Sequence, residues 1–133
     1  MTDCIWELQK AVFAALDGDG TLSALITGVY SHVPQDTAFP YIKFGDIAAR
    51  NWSTNTSSGD EIKFNVEIFG RSRGAKEILE ILKEVRRILD DASLAMTGCT
   101  MVSMKYNSAD ITQMPDGLTW HGIVSFDALI EEA

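Results

Sequence analysis

The two histidines and two cysteines of this chain are the side chains best suited to metal binding or nucleophilic chemistry. His32 and His121 are far apart in the sequence, and neither stands at a metal-ligand spacing from a Cys, Asp or Glu. We therefore expect both histidines to be structural or at the surface. Cys4 and Cys99 are equally distant, and the N-terminus resembles no secretion signal. We expect a cytoplasmic product whose cysteines are reduced thiols packed as small hydrophobic residues.

Residues 17–21 begin like a calcium-binding loop, with alternating aspartate and glycine. The pattern then fails, because Leu22 stands where the turn glycine belongs and Gly28 where the bidentate glutamate belongs. Glycine readily adopts the left-handed geometry that follows a helix C-terminus. The segment therefore predicts a helix-ending turn rather than a metal site, and Thr21 is expected to cap a short second helix over residues 22–27.

A short glycine and arginine turn, residues 70–74, precedes a predicted helix and is the remaining candidate for binding an anion. The glycine fingerprints of nucleotide sites are absent, so the turn is either a surface charge cluster or a contact for a partner's acidic surface. No serine elbow is present, no Cys and His pair has local support, and no carboxylate pair is singled out by spacing. The sequence therefore predicts no catalytic, cofactor-binding or metal-binding residues, and we do not expect an enzyme.

The charge of the chain is negative overall and unevenly distributed. The formal net charge is −8, which argues against a duplex-DNA reader, since such proteins carry a basic surface. Residues 71–87 nevertheless hold six of the eleven basic residues and three acidic ones, whereas residues 90–133 hold seven acidic residues and one lysine. This polarity favours head-to-tail self-association, in which a positive patch meets a negative one.

Hydrophobic periodicity predicts helices and strands in the order helix, strands, helix, strands. The first helix is predicted over residues 3–16, with a core face of Ile5, Leu8, Val12, Phe13 and Leu16. An amphipathic helix is predicted over residues 75–90, and a polar loop containing Trp52 over residues 51–59. Strands are predicted over residues 29–33, from 39, over 61–69 and 99–107, and in a hairpin of 110–114 with 118–130.

The strand over residues 61–69 has the clearest pattern, with apolar residues on one face and polar residues on the other. Its apolar residues are expected to face the stripe of the amphipathic helix; the two sets are Ile62, Phe64, Val66 and Ile68, and Ile78, Ile81, Leu82 and Val85. The last strand is expected to place Trp120, Val124, Phe126 and Ala128 on one face. The sequence predicts a single domain over residues 1–133, of the α+β class, with one mostly antiparallel sheet flanked by helices.

The order of several short motifs resembles that of a known family. The motifs are Val33-Pro34, Phe39-Pro40-Tyr41-Ile42, Trp52-Ser53-Thr54, the strand over residues 62–69, Arg71 before the amphipathic helix, and Pro115-Asp116-Gly117-Leu118-Thr119-Trp120-His121-Gly122. Together they cover nearly the whole chain. The sequence resembles the small phage family of tail-completion, or tail-terminator, proteins that join tails to heads, formerly a domain of unknown function. Similar proteins occur in prophages and gene transfer agents.

This resemblance implies a structural role with no catalytic residues and no cofactor. It implies a tail-terminator-like fold and a ring of six copies that stops growth of the tail tube. The implied partners are further copies of the chain, the tail-tube protein and a head connector or stopper protein. The implied location is the virion tail, after assembly in the host bacterial cytoplasm. DNA would pass through an acidic lumen without specific binding, and no apolar run is long enough for a membrane span.

Five residues are candidates for a subunit or partner interface: Trp52, Arg71, Arg73, Arg86 and Arg87. Trp52 is chosen because an exposed tryptophan is unfavourable unless it packs on its own fold or on a partner, and both interpretations stay open. The arginines are chosen because the acidic C-terminal third can meet them across a subunit boundary. A neck or head-completion protein would have a similar size and composition, and a small ligand-binding domain of unrelated function is the alternative from another class.

Overall fold

The computed structural model describes residues 4–53, 58–71 and 74–132. Within these ranges the chain forms three helices, α1 (Cys4–Asp17), α2 (Gly20–Ser23) and α3 (Lys76–Leu89). It also forms five strands, β1 (Val29–Tyr30), β2 (Tyr41–Asn51), β3 (Gly59–Gly70), β4 (Cys99–Gln113) and β5 (Trp120–Glu132). No helix in these ranges is long and apolar enough to cross a bilayer.

The five strands form one sheet in the order β1-β2-β3-β5-β4. Only the short β1 runs parallel to its neighbour; every other pair is antiparallel. The last strand in sequence, β5, therefore lies between β3 and β4 and pairs with both along its length, from Trp120 opposite Gly70 to Glu131 opposite Gly59. The expected α+β class with a mostly antiparallel sheet is confirmed.

The core lies between one face of the sheet and the helices. Strand β3 buries its alternate residues, and β5 buries Val124, Phe126 and Ala128 on the same side. Helix α3 packs across β3, β5 and β4, while α1 and α2 pack against α3. The expected match between the strand face and the helical stripe is confirmed, although Leu82 is only half-buried. Where α3 crosses β5, a Cβ on Gly122 would lie 3.2 Å from Cδ1 of Ile78, so the glycine permits this close approach.

The buried face of α1 differs from the expectation. Its buried residues follow an i, i+4 row: Cys4, Leu8, Val12 and Leu16. Ile5 and Phe13, which were expected in the core, are both partly exposed. The periodicity alone admits either set, since Ile5 and Phe13 lie about 100° from Cys4 and Val12 around the helix. Contacts with α3 and β1 select the row that begins at Cys4.

The two cysteines form a disulfide bond, and the expectation of reduced thiols is wrong. The sulfurs of Cys4 and Cys99 are 2.05 Å apart, and the chain between them spans 95 positions. Cys4 begins α1 and Cys99 begins β4, and both side chains are buried. Helix α1 therefore runs from the β4 edge of the sheet towards β1, with which it also packs. The prediction of reduced thiols was wrong because residues that are far apart in the sequence can be adjacent in the fold.

Strand β4 is one continuous strand, whereas the sequence predicted two strands, over residues 99–107 and 110–114. Two register shifts, between Met101 and Ser103 and between Tyr106 and Ser108, disturb its alternation while pairing with β5 continues. At the other edge, β1 is shorter than expected, and β2 begins at Tyr41, two residues after the expected start, and continues to Asn51. The cap of α2 also differs, because Asp19, and not Thr21, accepts the hydrogen bond from the Leu22 N–H at 3.0 Å.

Candidate assembly interface

The turn between β4 and β5 forms an exposed tip, here defined as residues 114–118 and called the hairpin tip. Asp116 holds the turn: its Oδ1 accepts the N–H groups of Leu118 and Thr119 at 2.8 Å each, and its Oδ2 accepts the Thr119 hydroxyl at 2.7 Å. The bonds from the Thr119 and Leu118 N–H groups lower the pKa of the Asp116 carboxyl to about 2, with help from the Thr119 hydroxyl and the charge of Arg71. Gly117 supplies the positive φ of 71° that the turn requires. The predicted turn is therefore present, and it presents Met114 and Leu118 to solvent.

Arg71 joins the hairpin tip to the segment that leads into β2. Its Nε donates to the Thr119 hydroxyl at 3.0 Å, and Nη2 lies 4.0 Å from Oδ2 of Asp116. The guanidinium carbon also lies 4.3 Å from the centre of the Phe39 ring, within cation–π range. The side chain that was expected to meet an acidic partner thus contacts an acidic residue of its own chain, although half of its surface remains exposed.

Arg86 and Arg87, in the last turn of α3, also have contacts within the chain. The guanidinium of Arg86 lies 4.0 Å from the centre of the Tyr106 ring. Arg87 donates from Nη2 to both carboxylate oxygens of Asp19, at 2.9 and 3.0 Å, and pairs through Nε with Glu84. These partners, Glu84 first and then Asp19, raise the pKa of the Arg87 guanidinium. Arg73 lies outside the described residues.

Trp52 follows directly on β2 and is half-buried. The backbone N–H of Trp52 donates to the Gly59 carbonyl oxygen at 2.8 Å. A Cβ on Gly59 would lie 3.1 Å from Cε3 of the indole, so the ring covers the start of β3. Of the two interpretations of Trp52, the structure gives it a contact with its own fold and leaves part of the ring accessible to a partner.

The remaining candidate chemistry has structural uses. His121 bonds through Nε2 to Oε1 of Glu67 at 2.9 Å and stacks on Phe69, and His32 is exposed, so the expectation of structural or surface histidines is confirmed. The expected turn after α1 is present, and its Asp19 both caps α2 and binds Arg87. Across the described ranges, no three His, Cys, Asp or Glu side chains cluster closely enough to hold a metal ion.

An apolar groove beside α1 was not foreseen from the sequence; we call it the α1 groove. It has a volume of about 190 Å³ and is lined by Trp6, Gln9, Lys10, Phe13, Ser31 and Phe44. Phe13 contacts Phe44 across it, with ring centres 6.4 Å apart. The groove exists because Phe13 stands beside the buried row of α1 and not within it. The sequence signal was Trp6, an aromatic residue on the outer side of an amphipathic helix.

The comparisons with known proteins agree over nearly the full length of the chain. The family described as tail completion protein gp17 matches residues 10–131. The tail completion protein gp17 of Bacillus phage SPP1 is 29% identical over 117 residues, which are 88% of this chain and 87% of that protein. The solved structure of bacteriophage SPP1 gp17 is similar with a TM-score of 0.68 and 26% identity, over 94% of this chain and 89% of that one.

A chain in the virion of a native gene transfer agent particle has a still more similar fold. Its TM-score is 0.90, at 23% identity, over 98% of this chain and 99% of that chain. At this level of identity the likeness concerns the fold alone. The agreement covers β4 and β5, whose turn carries the hairpin tip.

Proposed function

The chain belongs to the tail completion protein gp17 family, and we propose that within this family it acts as a tail terminator, a ring that caps the tail tube and joins it to the head. Its role in phage tail completion is structural, and its place is the phage tail. The observation that carries the proposal is the family match over residues 10–131, which include β1 to β4, all but the last residue of β5, and helices α2 and α3. The proposal extends to a non-catalytic single domain that is assembled in the host cytoplasm.

The proposed ring consists of copies of this chain related by rotation, and six is the number we propose. A ring requires heterologous contacts, in which two different surfaces of the subunit meet. The proposed partners on its two sides are the end of the tail-tube protein and a head connector or stopper protein. The fold offers unlike surfaces for such contacts, because the hairpin tip and the α1 groove lie at different parts of the sheet.

The charge distribution supports a lumen through which DNA passes without binding. Among the described residues, six Lys and Arg side chains form ion pairs with acidic residues of the same chain: Lys10, Lys43, Arg50, Arg71, Arg87 and Lys105. The acidic residues outnumber the basic ones by 19 to 11 in the whole chain. With much of the positive charge paired locally, the excess acidic charge dominates the field at the surface, which repels the phosphate backbone.

The same pairing changes how the subunits are proposed to adhere. Arg71, Arg86 and Arg87 remain interface candidates, but each already contacts its own chain. A partner's acidic residue would have to compete with these contacts, and exposed ion pairs contribute about 0–1 kcal/mol each. Apolar contacts are therefore proposed to supply most of the affinity, with Trp52 as one contact and the residues considered below as others.

The experiment that tests the proposed function is deletion of the gene, followed by electron microscopy of the particles and complementation with the wild-type gene. A tail terminator predicts tails of abnormal length that do not join heads, because the tube end is uncapped. Tails of normal length with filled heads that fail to join would indicate a neck or head-completion protein. Normal, infectious particles would contradict the proposal and would favour the alternative of a small ligand-binding domain.

A further inference from the structure

We propose that the hairpin tip of one copy docks in the α1 groove of the next copy, and that this contact links neighbouring subunits. The inference rests on the proposed self-assembly and adds to it the two surfaces that meet. Both surfaces are apolar and accessible in the isolated subunit. They differ in shape, since one is a protruding turn and the other a groove, as a heterologous contact requires.

The apolar content of the two surfaces is the first argument. Leu118, in the hairpin tip, is 64% exposed, more than any other large hydrophobic residue among those described, and Met114 beside it is also exposed. In the α1 groove Trp6 is 53% exposed, and Phe13 is partly exposed. The groove's volume of about 190 Å³ has room for one large aliphatic side chain, since a cavity of about 150 Å³ can hold benzene.

Charge complementarity is the second argument, and it favours a copy of this chain as the occupant. Of the described residues that line the α1 groove, Lys10 alone is charged. Its side chain is 49% exposed, whereas its ion-pair partner Glu7 is 16% exposed. The more exposed member of this ion pair at the groove is therefore the cation. The end of the β4–β5 hairpin carries Asp110 and Asp116, and residues 106–120 contain no Lys or Arg. Arg71 offsets part of the charge of Asp116, while Asp110 is exposed and forms no ion pair with any described residue.

The positions of the hairpin tip and the α1 groove in the fold are the third argument. The α1 groove lies over β2 and the residue that follows β1, while the hairpin tip ends β4 and begins β5. Two strands, β3 and β5, separate β2 from β4, a distance of roughly 14 Å at the usual strand spacing. One subunit can therefore offer its tip to one neighbour while its groove receives the tip of another, so the contact can propagate around a ring.

The contact is a small one, and this sets the conditions for its detection. Stable interfaces bury about 1,200–2,000 Å² in total, far more than two side chains in a groove provide. The tip and groove therefore act as the central contact of a wider interface that is weak in dilute solution. Removing the apolar burial of Leu118 is expected to raise the dissociation constant between subunits about tenfold.

The test in solution uses one variant on each surface and a matched control. Leu118→Asp alters the tip, Trp6→Asp alters the groove, and Leu79→Asp alters α3 at a residue that is 48% exposed and belongs to neither surface. Circular dichroism establishes that each variant is folded, and sedimentation velocity at increasing concentration measures association. We expect both interface variants to associate about tenfold more weakly than the wild type, and the control to associate normally. Mixing the two variants should restore a dimer but no larger ring, because one intact tip then meets one intact groove.

The test in assembled particles covers the case in which association needs the tail as a template. A photoreactive amino acid is placed at position 118 in the full chain, and particles that contain it are irradiated. We expect a cross-link to an α1 peptide, identified by mass spectrometry, in a chain whose isotope label shows it to be a second copy. Cross-links between two tips, cross-links to another tail protein alone, or no cross-link would each overturn the proposal.

The two proposals can fail independently. If deletion of the gene leaves uncapped tails while position 118 does not reach α1 of a second copy, the tail-terminator function stands and the tip-to-groove contact is wrong. If deletion leaves normal tails, the tail-terminator function is wrong regardless of the cross-link.

Discussion

Nη2 of Arg87 donates to both carboxylate oxygens of Asp19, at 2.9 and 3.0 Å. This ion pair joins α3 to the cap of α2 across 68 positions of sequence. The same Asp19 carboxylate accepts the Leu22 N–H, and this bond, followed by that with Arg87, lowers the pKa of the Asp19 carboxyl. The single, partly buried Asp19 side chain therefore bonds to two helices at once. Its two roles can be separated by mutation.

We predict that Asp19→Ala lowers the free energy of unfolding more than Arg87→Ala does. The alanine at 19 removes the ion pair with Arg87 and the helix cap, whereas the alanine at 87 removes the ion pairs with Asp19 and Glu84 and leaves the cap in place. A cap contributes about 1 kcal/mol, more than a typical exposed ion pair. Urea denaturation of the two variants and of the double variant gives the coupling between the residues. Lys83→Ala, also on the exposed side of α3, is the control and should have little effect. Equal losses from the two main variants would mean that the cap contributes no more than the Arg87–Glu84 ion pair.

A second prediction concerns the sheet core at Phe64. This side chain is buried and stacks on Phe126 of β5, with ring centres 5.6 Å apart. Phe64→Ala should reduce the free energy of unfolding by about 3–5 kcal/mol, because it removes apolar burial and leaves a cavity. The matched control is Lys63→Ala, next to it on the opposite, exposed face. A loss below about 1 kcal/mol would contradict the packing of this face against α3.

A third prediction concerns acid and the hairpin tip. The pKa of Asp116 is lowered from 3.8 to about 2, so the folded state favours the charged carboxylate. Its contribution to stability is fully present above pH 3.8 and is lost as the pH falls towards 2. We therefore expect the stability difference between wild type and Asp116→Asn to be largest above this window and to narrow within it. Thr119→Val, which removes the 2.7 Å hydroxyl bond, should raise the pKa of Asp116 in an NMR titration; an unchanged pKa would contradict the hydrogen-bond explanation.

A fourth prediction concerns the Cys4–Cys99 disulfide. Closing a loop of this length, 95 positions, restricts the unfolded chain, and loss of such a bond costs about 2–5 kcal/mol. We expect a reducing agent to lower the free energy of unfolding of the wild type by that amount. A variant with both cysteines replaced by serine should resemble the reduced wild type and should not respond to the reductant. A wild type that is equally stable with and without reductant would contradict the bond's presence in solution.

The parts of the fold that follow from local periodicity were predictable, and β3 and α3 are the clearest cases. Their alternating and helical patterns are unbroken, so the predicted limits of 61–69 and 75–90 lie within two residues of Gly59–Gly70 and Lys76–Leu89. The turn at Gly117 was also predictable from local sequence, because Pro115-Asp116-Gly117 is typical of a turn. Strand β4 was divided wrongly because its two register shifts interrupt the alternation without ending the strand.

Features that depend on contacts between distant residues could not be read from the sequence. The Cys4–Cys99 bond depends on the path of α1 across the sheet, and the exposure of Phe13 depends on which row of α1 meets α3. Arg71 and Arg87 were judged by their charge, while their partners, Asp116 and Asp19, are 45 and 68 positions away. The α1 groove was missed for the same reason, because its walls come from α1, β2 and the residue after β1.

The position of β5 between β3 and β4 has a consequence for how the protein is made. During synthesis on the ribosome, β3 and β4 leave the exit tunnel before the strand that must lie between them. Until residues 120–132 have emerged, the nascent chain has a β2–β3 hairpin and a β4 segment with no strand to join them. The five-stranded sheet can therefore close only after β5 has been made. A chain that lacks β5 would have no strand to join β3 to β4 and could not form the surfaces proposed for assembly.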